Sequence, residues 1–214
     1  FVAELWSTIP NIVTAYLVSP SGERSPVISI RQGNRYQLTF PFEQTTVEVE
    51  YRLFLRDGRA QLIFLKFDRP VQGIWKIGVQ ALQRADGEYH IWLPVREFLD
   101  GNVYFLESSP DMTLTEPSNT EDPITVAYYR GTDKSVDINS GRGYTRDKRI
   151  KPDFAGPGVQ VLGAGTDGRF VRRSGSSVAV GITAGACAMI MEWLLNQPIL
   201  GGITTSQVAD IIIL

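Results

Sequence analysis

The stretch "FVRRSGSSVAVGITAGACAMIMEWLL", residues 170 to 195, decides how the rest of the chain is interpreted. Gly175, Ser176 and Ser177 immediately precede an apolar run from Val178 to Met191, whose length predicts a helix rather than a strand. The run ends at Glu192 and is shorter than the roughly 20 residues that cross a bilayer. The pattern therefore predicts a buried core helix with Ser177 near its beginning.

A serine at this position has two possible roles. The first N–H groups of a helix are unpaired and its dipole favours negative charge, so Ser177 could attack a carbonyl while its own N–H holds the oxyanion. Gly175 would allow the tight turn and close substrate approach that this needs. The alternative is a serine N-cap on a helix whose small residues, from Gly181 to Ala188, pack closely against a sheet. This stretch alone favours the cap.

The residues that usually accompany a reactive serine are scarce. The only histidine, His90, alternates with apolar neighbours in "EYHIWLP", which predicts a strand residue on the more polar face of a sheet. The only cysteine, Cys187, excludes an internal disulfide framework and is predicted to be a buried, inert thiol. One Cys and one His also exclude a zinc constellation of the usual kind.

Composition places the chain among ordinary globular proteins, with 43% hydrophobic and 21% charged residues. A net charge of −2 gives no reason to expect nucleic acid as a partner. Basic residues nevertheless outnumber acidic ones between Arg142 and Arg173. A solvated basic surface is the simpler interpretation, and a face that meets an acidic partner or substrate is the alternative.

The chain has two halves with different patterns. Residues 1–108 contain short runs rich in β-branched and aromatic residues, separated by turn signals such as Asp57-Gly58 and Asp86-Gly87, which predict hairpins. They predict an antiparallel β-sandwich or jelly roll. A segment rich in Pro, Ser and Thr, residues 108–123, forms the connection. Residues 109–214 alternate strands with the helices "SSVAVGITAGACAMIMEWLL" and "TTSQVADIIIL", which predicts an α/β layer of mostly parallel strands around a buried central helix.

Two motifs in this second half resemble the final third of the subtilisin-like serine protease domain. "KPDFAGPGVQVLGA" is similar to the family's "KPD(I/V)-APG" segment, and "SGSSVAVGITAG" is similar to its "GTSMA-PHVAG". "DPITVAYY" and "TTSQVADIIIL" resemble a preceding strand and the closing helix. The resemblance covers about residues 113–214 and implies the α/β fold of that family.

The resemblance implies that Ser177 is the nucleophile, with its backbone N–H in the oxyanion hole, and that Gly175 forms the turn before it. Ser176 stands where the family usually has Thr, Gly181 replaces Pro, and Ile182 replaces a histidine that is not the catalytic one. Gly156 replaces the Ala of "APG". These substitutions do not change the serine itself, but they affect the local geometry in which a substrate would bind.

The other catalytic groups of that family precede the matched segment, in the order Asp, His, Ser. No "DTG" or "HGT" motif is present, and the place of the oxyanion-hole Asn is occupied by the β-rich half. Because the chain opens with Phe1 in a strand-like run, we expect upstream sequence and an insertion at residues 1–108. Bacterial subtilases of the spore-germination branch resemble this arrangement, which would imply a secreted or spore-envelope location.

The first hypothesis is therefore a subtilisin-like serine endopeptidase that acts on protein or peptide substrates. An upstream segment or a second chain would supply its Asp and His, and the 214 residues alone would be inactive. The alternatives are a pseudoprotease with an interaction or signalling role, and a β-sandwich that binds carbohydrate or protein through Trp6, Trp75 and Trp92. No cofactor, nucleic acid or membrane is expected. A calcium ion near Asp133, Asp137 and Asn139 is possible in principle, although a solvated turn is the simpler interpretation.

Overall fold

The computed structural model describes residues 1–31, 33–55, 59–83, 86–99 and 101–196, together with positions 204, 207 and 210. The chain divides into two compact units, Phe1–Leu106 and Glu107–Leu214. Each unit is described by itself.

The first unit consists of antiparallel sheets. Five strands pair in the order β3-β4-β5-β1-β7, and β2 pairs separately with β6. The prediction of antiparallel pairing is confirmed, while the jelly-roll topology stays a prediction. The strands are β1 (Val2–Thr8), β2 (Ile12–Val18), β3 (Arg35–Phe40), β4 (Thr45–Phe54), β5 (Ala60–Asp68), β6 (Lys76–Gln83) and β7 (Tyr89–Trp92), followed by a short 3-10 helix at Arg96–Phe98.

Both sheets contribute to one hydrophobic core. In β4 the residues alternate, so that Val47, Val49 and Tyr51 are buried while Glu48 and Arg52 face solvent. The same alternation holds in β1, whereas β2 and β5 also contain runs of consecutive buried residues, at 13–15 and 60–63. Members of the core from the different strands include Ala3, Leu5, Val13, Ala15, Leu17, Leu38, Phe40, Ile63 and Leu65.

The Asp86-Gly87 pair does not form the predicted hairpin. The strands on either side of it, β6 and β7, belong to different sheets, so the chain crosses from one sheet to the other. Gly87 has a φ of 80°, as the turn signal requires, but its N–H donates to Asn11 Oδ1 at 3.0 Å. Asn11 Nδ2 donates to Asp86 Oδ1 at 2.5 Å. The Asn11 side chain therefore fixes the crossover, and the sequence around Asp86-Gly87 does not reveal this contact. The Asp57-Gly58 pair lies outside the described residues.

The second unit combines one parallel and one antiparallel pair of strands with a long helix. Strands β8 (Val126–Arg130) and β9 (Phe154–Val159) are parallel. Strands β10 (Val161–Ala164) and β11 (Phe170–Arg173) form an antiparallel hairpin. The prediction of parallel strands is therefore correct for β8 and β9 only. The connection between β10 and β11 is too short for a parallel crossover, which takes about a dozen residues.

Helix α1 (Ser176–Leu195) packs on β8 and β9 but is not the buried central helix that we predicted. Its buried residues are Ala179 and Leu194, whereas Met189 and Trp193 are 67% and 61% exposed. The strand pair covers one side of α1, and the described residues leave the rest in solvent. The small residues from Gly181 to Ala188 lie mostly on the exposed side, and Cys187 is half-buried.

By length and composition, α1 is apolar enough to cross a membrane. Core helices of globular domains meet the same criterion, so this property decides nothing here. The predicted helix "TTSQVADIIIL" lies outside the described residues except for Thr204, Gln207 and Asp210. The Thr204 N–H donates to Gln207 Oε1 at 2.8 Å, and the Gln207 N–H donates to Thr204 Oγ1 at 3.4 Å, as in a capping box.

Candidate functional site

Ser177 is the second residue of α1 and is exposed. The N-cap is Gly175, and no side-chain cap hydrogen bond is formed, so the prediction of a serine N-cap is wrong. Gly175 has a φ of 145° and a ψ of 167°, a region that residues with a Cβ rarely adopt. The hydroxyl of Ser177 is therefore not used to begin the helix.

The parallel strands hold the turn before Ser177. The N–H of Gly175 donates to the carbonyl oxygen of Gly158, at the end of β9, at 2.8 Å. A Cβ at Gly158 would lie 2.7 Å from Tyr128 Cβ and 2.9 Å from the Gly175 oxygen. A side chain at position 158 would therefore force Tyr128 or the turn to move, so glycine allows the close approach between β9 and the turn before α1.

A cleft of about 380 Å³ opens beside Ser177. One side is the first turn of α1, and the other is the segment that leads into β8. The N–H groups of Ser176 and Ser177 precede the first hydrogen bond of the helix, which Val178 makes to Gly175. The lining residues are Pro117, Ser118, Pro123, Ile124, Thr125, Val126, Ser176, Ser177 and Val180.

The cleft wall opposite α1 is anchored by a buried ion pair. Lys151 Nζ lies 2.8 Å from Asp153 Oδ2, and the two side chains are only 7% and 10% exposed. Lys151 also donates to the carbonyl oxygen of Pro123 at 2.8 Å, and Asp153 accepts the N–H of Thr125 at 2.6 Å. The Lys-Pro-Asp sequence thus holds the wall in place. No structural role was predicted for this motif, although its lysine and aspartate next to a strand are a sequence signal for an ion pair.

The possible calcium ligands are engaged in local hydrogen bonds. Asp133 Oδ1 accepts from the N–H and hydroxyl of Ser135, and Asp137 Oδ1 accepts from the N–H of Asn139 at 2.9 Å. These bonds hold the pKa of Asp133 and that of Asp137 below the ordinary value. Within the described ranges, no group of three or more His, Cys, Asp or Glu residues is arranged to hold a metal.

His90 and the tryptophans belong to the first unit. His90 lies in β7 opposite Trp6 of β1, and its Nε2 is 3.5 Å from Glu88 Oε1. Trp6 and Trp92 lie on the outer face of the same sheet. Trp75 instead packs edge-on against Phe40 and Phe67, with ring centroids 5.0 and 5.4 Å apart, so the three tryptophans do not form one face.

The arrangement around Ser177 has part of what acyl transfer requires. It presents an exposed hydroxyl, an N–H in the first turn of a helix and an adjacent cleft. Within the part of the chain that the structure describes, no side chain hydrogen-bonds the Ser177 hydroxyl. A general base would have to come from elsewhere.

Comparison with solved structures supports this description of the fold. The chain matches no protein-family model, and no curated protein matches it. Among solved structures, it is similar to the Clostridium perfringens CspB protease, with a TM-score of 0.80 and 25% sequence identity. The similarity covers 91% of this chain and 41% of that chain, so this chain spans less than half of that protein's length. The fold, with both its antiparallel and its parallel sheets, is therefore one that a solved protease also has.

Proposed function

We propose that this chain is the nucleophile-bearing part of a subtilisin-like serine endopeptidase of the spore-germination type. Ser177 attacks the scissile carbonyl, and its own N–H stabilises the oxyanion. The observation that carries the proposal is the exposed Ser177 in the first turn of α1, beside the cleft and free of any capping role. The likeness to the CspB protease supports it from a separate direction.

The base and its orienting carboxylate come from sequence outside these 214 residues, either upstream in the same protein or in a second chain. The only histidine, His90, lies in a strand of the first unit next to Glu88 and opposite Trp6. The exposed apolar side of α1, which includes Met189 and Trp193, supports the same proposal. Burying that surface would stabilise the assembled domain.

A fluorophosphonate probe tests this proposal because it reacts with activated serines rather than with all exposed ones. We expect labelling of the longer protein at Ser177, and none of the 214-residue chain alone. Ser177→Ala should abolish labelling and reduce peptide hydrolysis by on the order of 10⁵- to 10⁶-fold. Ser176→Ala is the matched control, since it removes the neighbouring hydroxyl, and it should leave the labelling at Ser177.

Other outcomes identify which part of the proposal fails. Labelling of the isolated chain would show that it supplies its own base. An unlabelled longer protein with a folded site would contradict the endopeptidase and support a pseudoprotease. Labelling that survives Ser177→Ala would place the reactive residue elsewhere.

A further inference from the structure

We infer that the site prefers substrates with an acidic side chain close to the scissile bond, on the side of the β10–β11 hairpin. Arg173 is the residue that recognises this acid. The inference rests on the proposed function and specifies its substrate class. It starts from the excess of basic residues between Arg142 and Arg173.

The aspartates of this basic segment are already paired with other cations. Asp153 binds Lys151 at 2.8 Å, Asp147 binds Arg149 at 2.7 Å, and Asp167 lies 3.6 Å from Arg169. These are all the acidic residues of the segment, and none of them pairs with Arg172 or Arg173. The two arginines end the hairpin immediately before the turn that leads to Ser177.

These two arginines are held differently. Arg172 Nη1 donates to the backbone oxygen of Gln160 at 2.8 Å, which fixes its side chain along the hairpin without neutralising its charge. Arg173 is exposed, and among the described residues its guanidinium makes no hydrogen bond or ion pair. An exposed guanidinium whose N–H groups are unused can bind a carboxylate through two parallel hydrogen bonds.

Arg173 lies close enough to Ser177 to affect cleavage. Four residues of extended chain span at most about 14 Å. A bound peptide in extended conformation rises about 3.3 Å per residue, so Arg173 reaches a side chain within about four residues of the scissile bond. The positive end of the α1 dipole lies in the same region and adds to the attraction of a negative charge.

The cleft wall across from the first turn of α1 carries acids, which makes the preference specific to one side of the scissile bond. The segment that leads into β8 carries the exposed acids Glu116, Glu121 and Asp122. Arg149 lies near this segment but is occupied, since its Nη2 donates to the Asn119 oxygen at 2.6 Å and its Nε pairs with Asp147. A carboxylate of the substrate is therefore attracted on the hairpin side and repelled on the other.

The test uses the longer protein and a peptide library whose cleavage sites are mapped by mass spectrometry. Quenched fluorescent peptides are then made in pairs, with Glu or Lys at each position around the mapped bond. The ratio of kcat/KM for the Glu and Lys peptides is the readout, because a partly unfolded variant loses both equally. We expect Glu to be preferred at positions on one side of the bond only.

Arg173→Ala should lower the Glu-to-Lys ratio about three- to tenfold, and Arg173→Glu should invert it. Arg173→Lys should retain part of the preference, because lysine keeps the positive charge but cannot form the two parallel hydrogen bonds of a guanidinium. The matched control is Arg169→Ala, which removes an arginine of the same hairpin that Asp167 already pairs, and it should leave the ratio unchanged.

Failure of this inference can be told apart from failure of the proposed function. If the probe labels Ser177 and peptides are cleaved with no charge preference, the endopeptidase stands and the inference is wrong. The same holds if Arg173→Ala and Arg169→Ala change the ratio equally. A longer protein that is neither labelled nor active overturns the proposed function, and this inference with it.

Discussion

The two units of the chain remove different kinds of side chains from water. In the first unit most buried residues are apolar, such as Phe40, Leu5 and Ile63, although polar residues such as Gln61 and Thr14 are buried with them. In the second unit the buried residues are divided between apolar and polar types. They are Leu114, Tyr128, Ala179 and Leu194 on the one hand, and Thr125, Ser140, Thr145 and Lys151 on the other.

This difference shows what each unit relies on. The first unit has its own hydrophobic core between two sheets. Over the described residues, the second unit is held by hydrogen bonds and an ion pair while it exposes much of an apolar helix. A domain that exposes such a helix gains stability when another surface covers it. The contrast therefore supports the proposal that further sequence completes the second unit.

The largest expected effect is at the buried ion pair between Lys151 and Asp153 in the second unit. Lys151→Met leaves the Asp153 carboxylate buried without its partner, which costs about 3–5 kcal/mol. The matched change is Lys66→Met in the first unit, where Lys66 and Glu48 are 54% and 51% exposed at 3.5 Å. It should cost about 1 kcal/mol or less. Native-state hydrogen exchange of amides in each unit measures both values, and equal losses would remove the contrast between the units.

The next test compares two isoleucines. Ile63→Ala empties space in a fully buried position of the first core and should cost about 2–5 kcal/mol. Ile182 is 40% exposed on α1, so Ile182→Ala should cost well under half as much in this chain. If further sequence covers α1 as proposed, the cost at Ile182 should rise in the longer protein. An unchanged cost, measured by urea unfolding of both proteins, would contradict the proposed covering of α1.

The sequence was a good guide wherever structure depends on local periodicity. Alternation in β4 and the apolar run of α1 predicted a strand and a helix that the structure confirms. Neither pattern shows which strand pairs with which, so Asp86-Gly87 was assigned to a hairpin although Asn11, far away in sequence, fixes it as a crossover. Apolar composition likewise does not reveal what covers a helix, which is why α1 was predicted to be buried.

Only the local features of the candidate site could be predicted from the sequence. Ser177 and Gly175 came from a local motif and a resemblance, and their catalytic roles stay predictions. The cleft depends on contacts between distant segments, such as Lys151 with Pro123, which no local pattern shows. The relation between Gly158 and Gly175 is also non-local, since it requires β9 and the turn to meet.

A smaller effect is expected from the close approach of β9 to the turn. Gly158→Ala would force Tyr128 or the Gly175 carbonyl to move, at a cost of about 1–3 kcal/mol. Gly163→Ala in β10 is the matched control, because a Cβ there meets nothing within 4 Å. If the turn positions Ser177, then Gly158→Ala should also slow fluorophosphonate labelling of the longer protein, and Gly163→Ala should not. Equal destabilisation by the two variants would mean that the contact at Gly158 relaxes freely.

The smallest expected effect concerns the acid sensitivity of the polar second unit. The N–H of Asn139 first, and then the hydroxyl of Tyr128, hold the pKa of Asp137 below its ordinary value of 3.8. Because the pKa is lower in the folded state than in the unfolded state, the ionised carboxylate stabilises the fold above about pH 4. This contribution is lost as the pH falls through the folded pKa, where both states become protonated.

Asp137→Asn keeps an acceptor oxygen but removes the charge, so it should lower the urea midpoint more at pH 6 than at pH 3. Urea unfolding followed by circular dichroism at the two pH values measures this difference. Ile63→Ala provides the contrast. It removes apolar contacts in the first unit without changing any ionisable group, so it should lower the midpoint at both pH values. If Asp137→Asn shifts the midpoint equally at pH 6 and pH 3, its effect is not electrostatic. The second unit would then depend less on ionised groups than its buried polar side chains indicate.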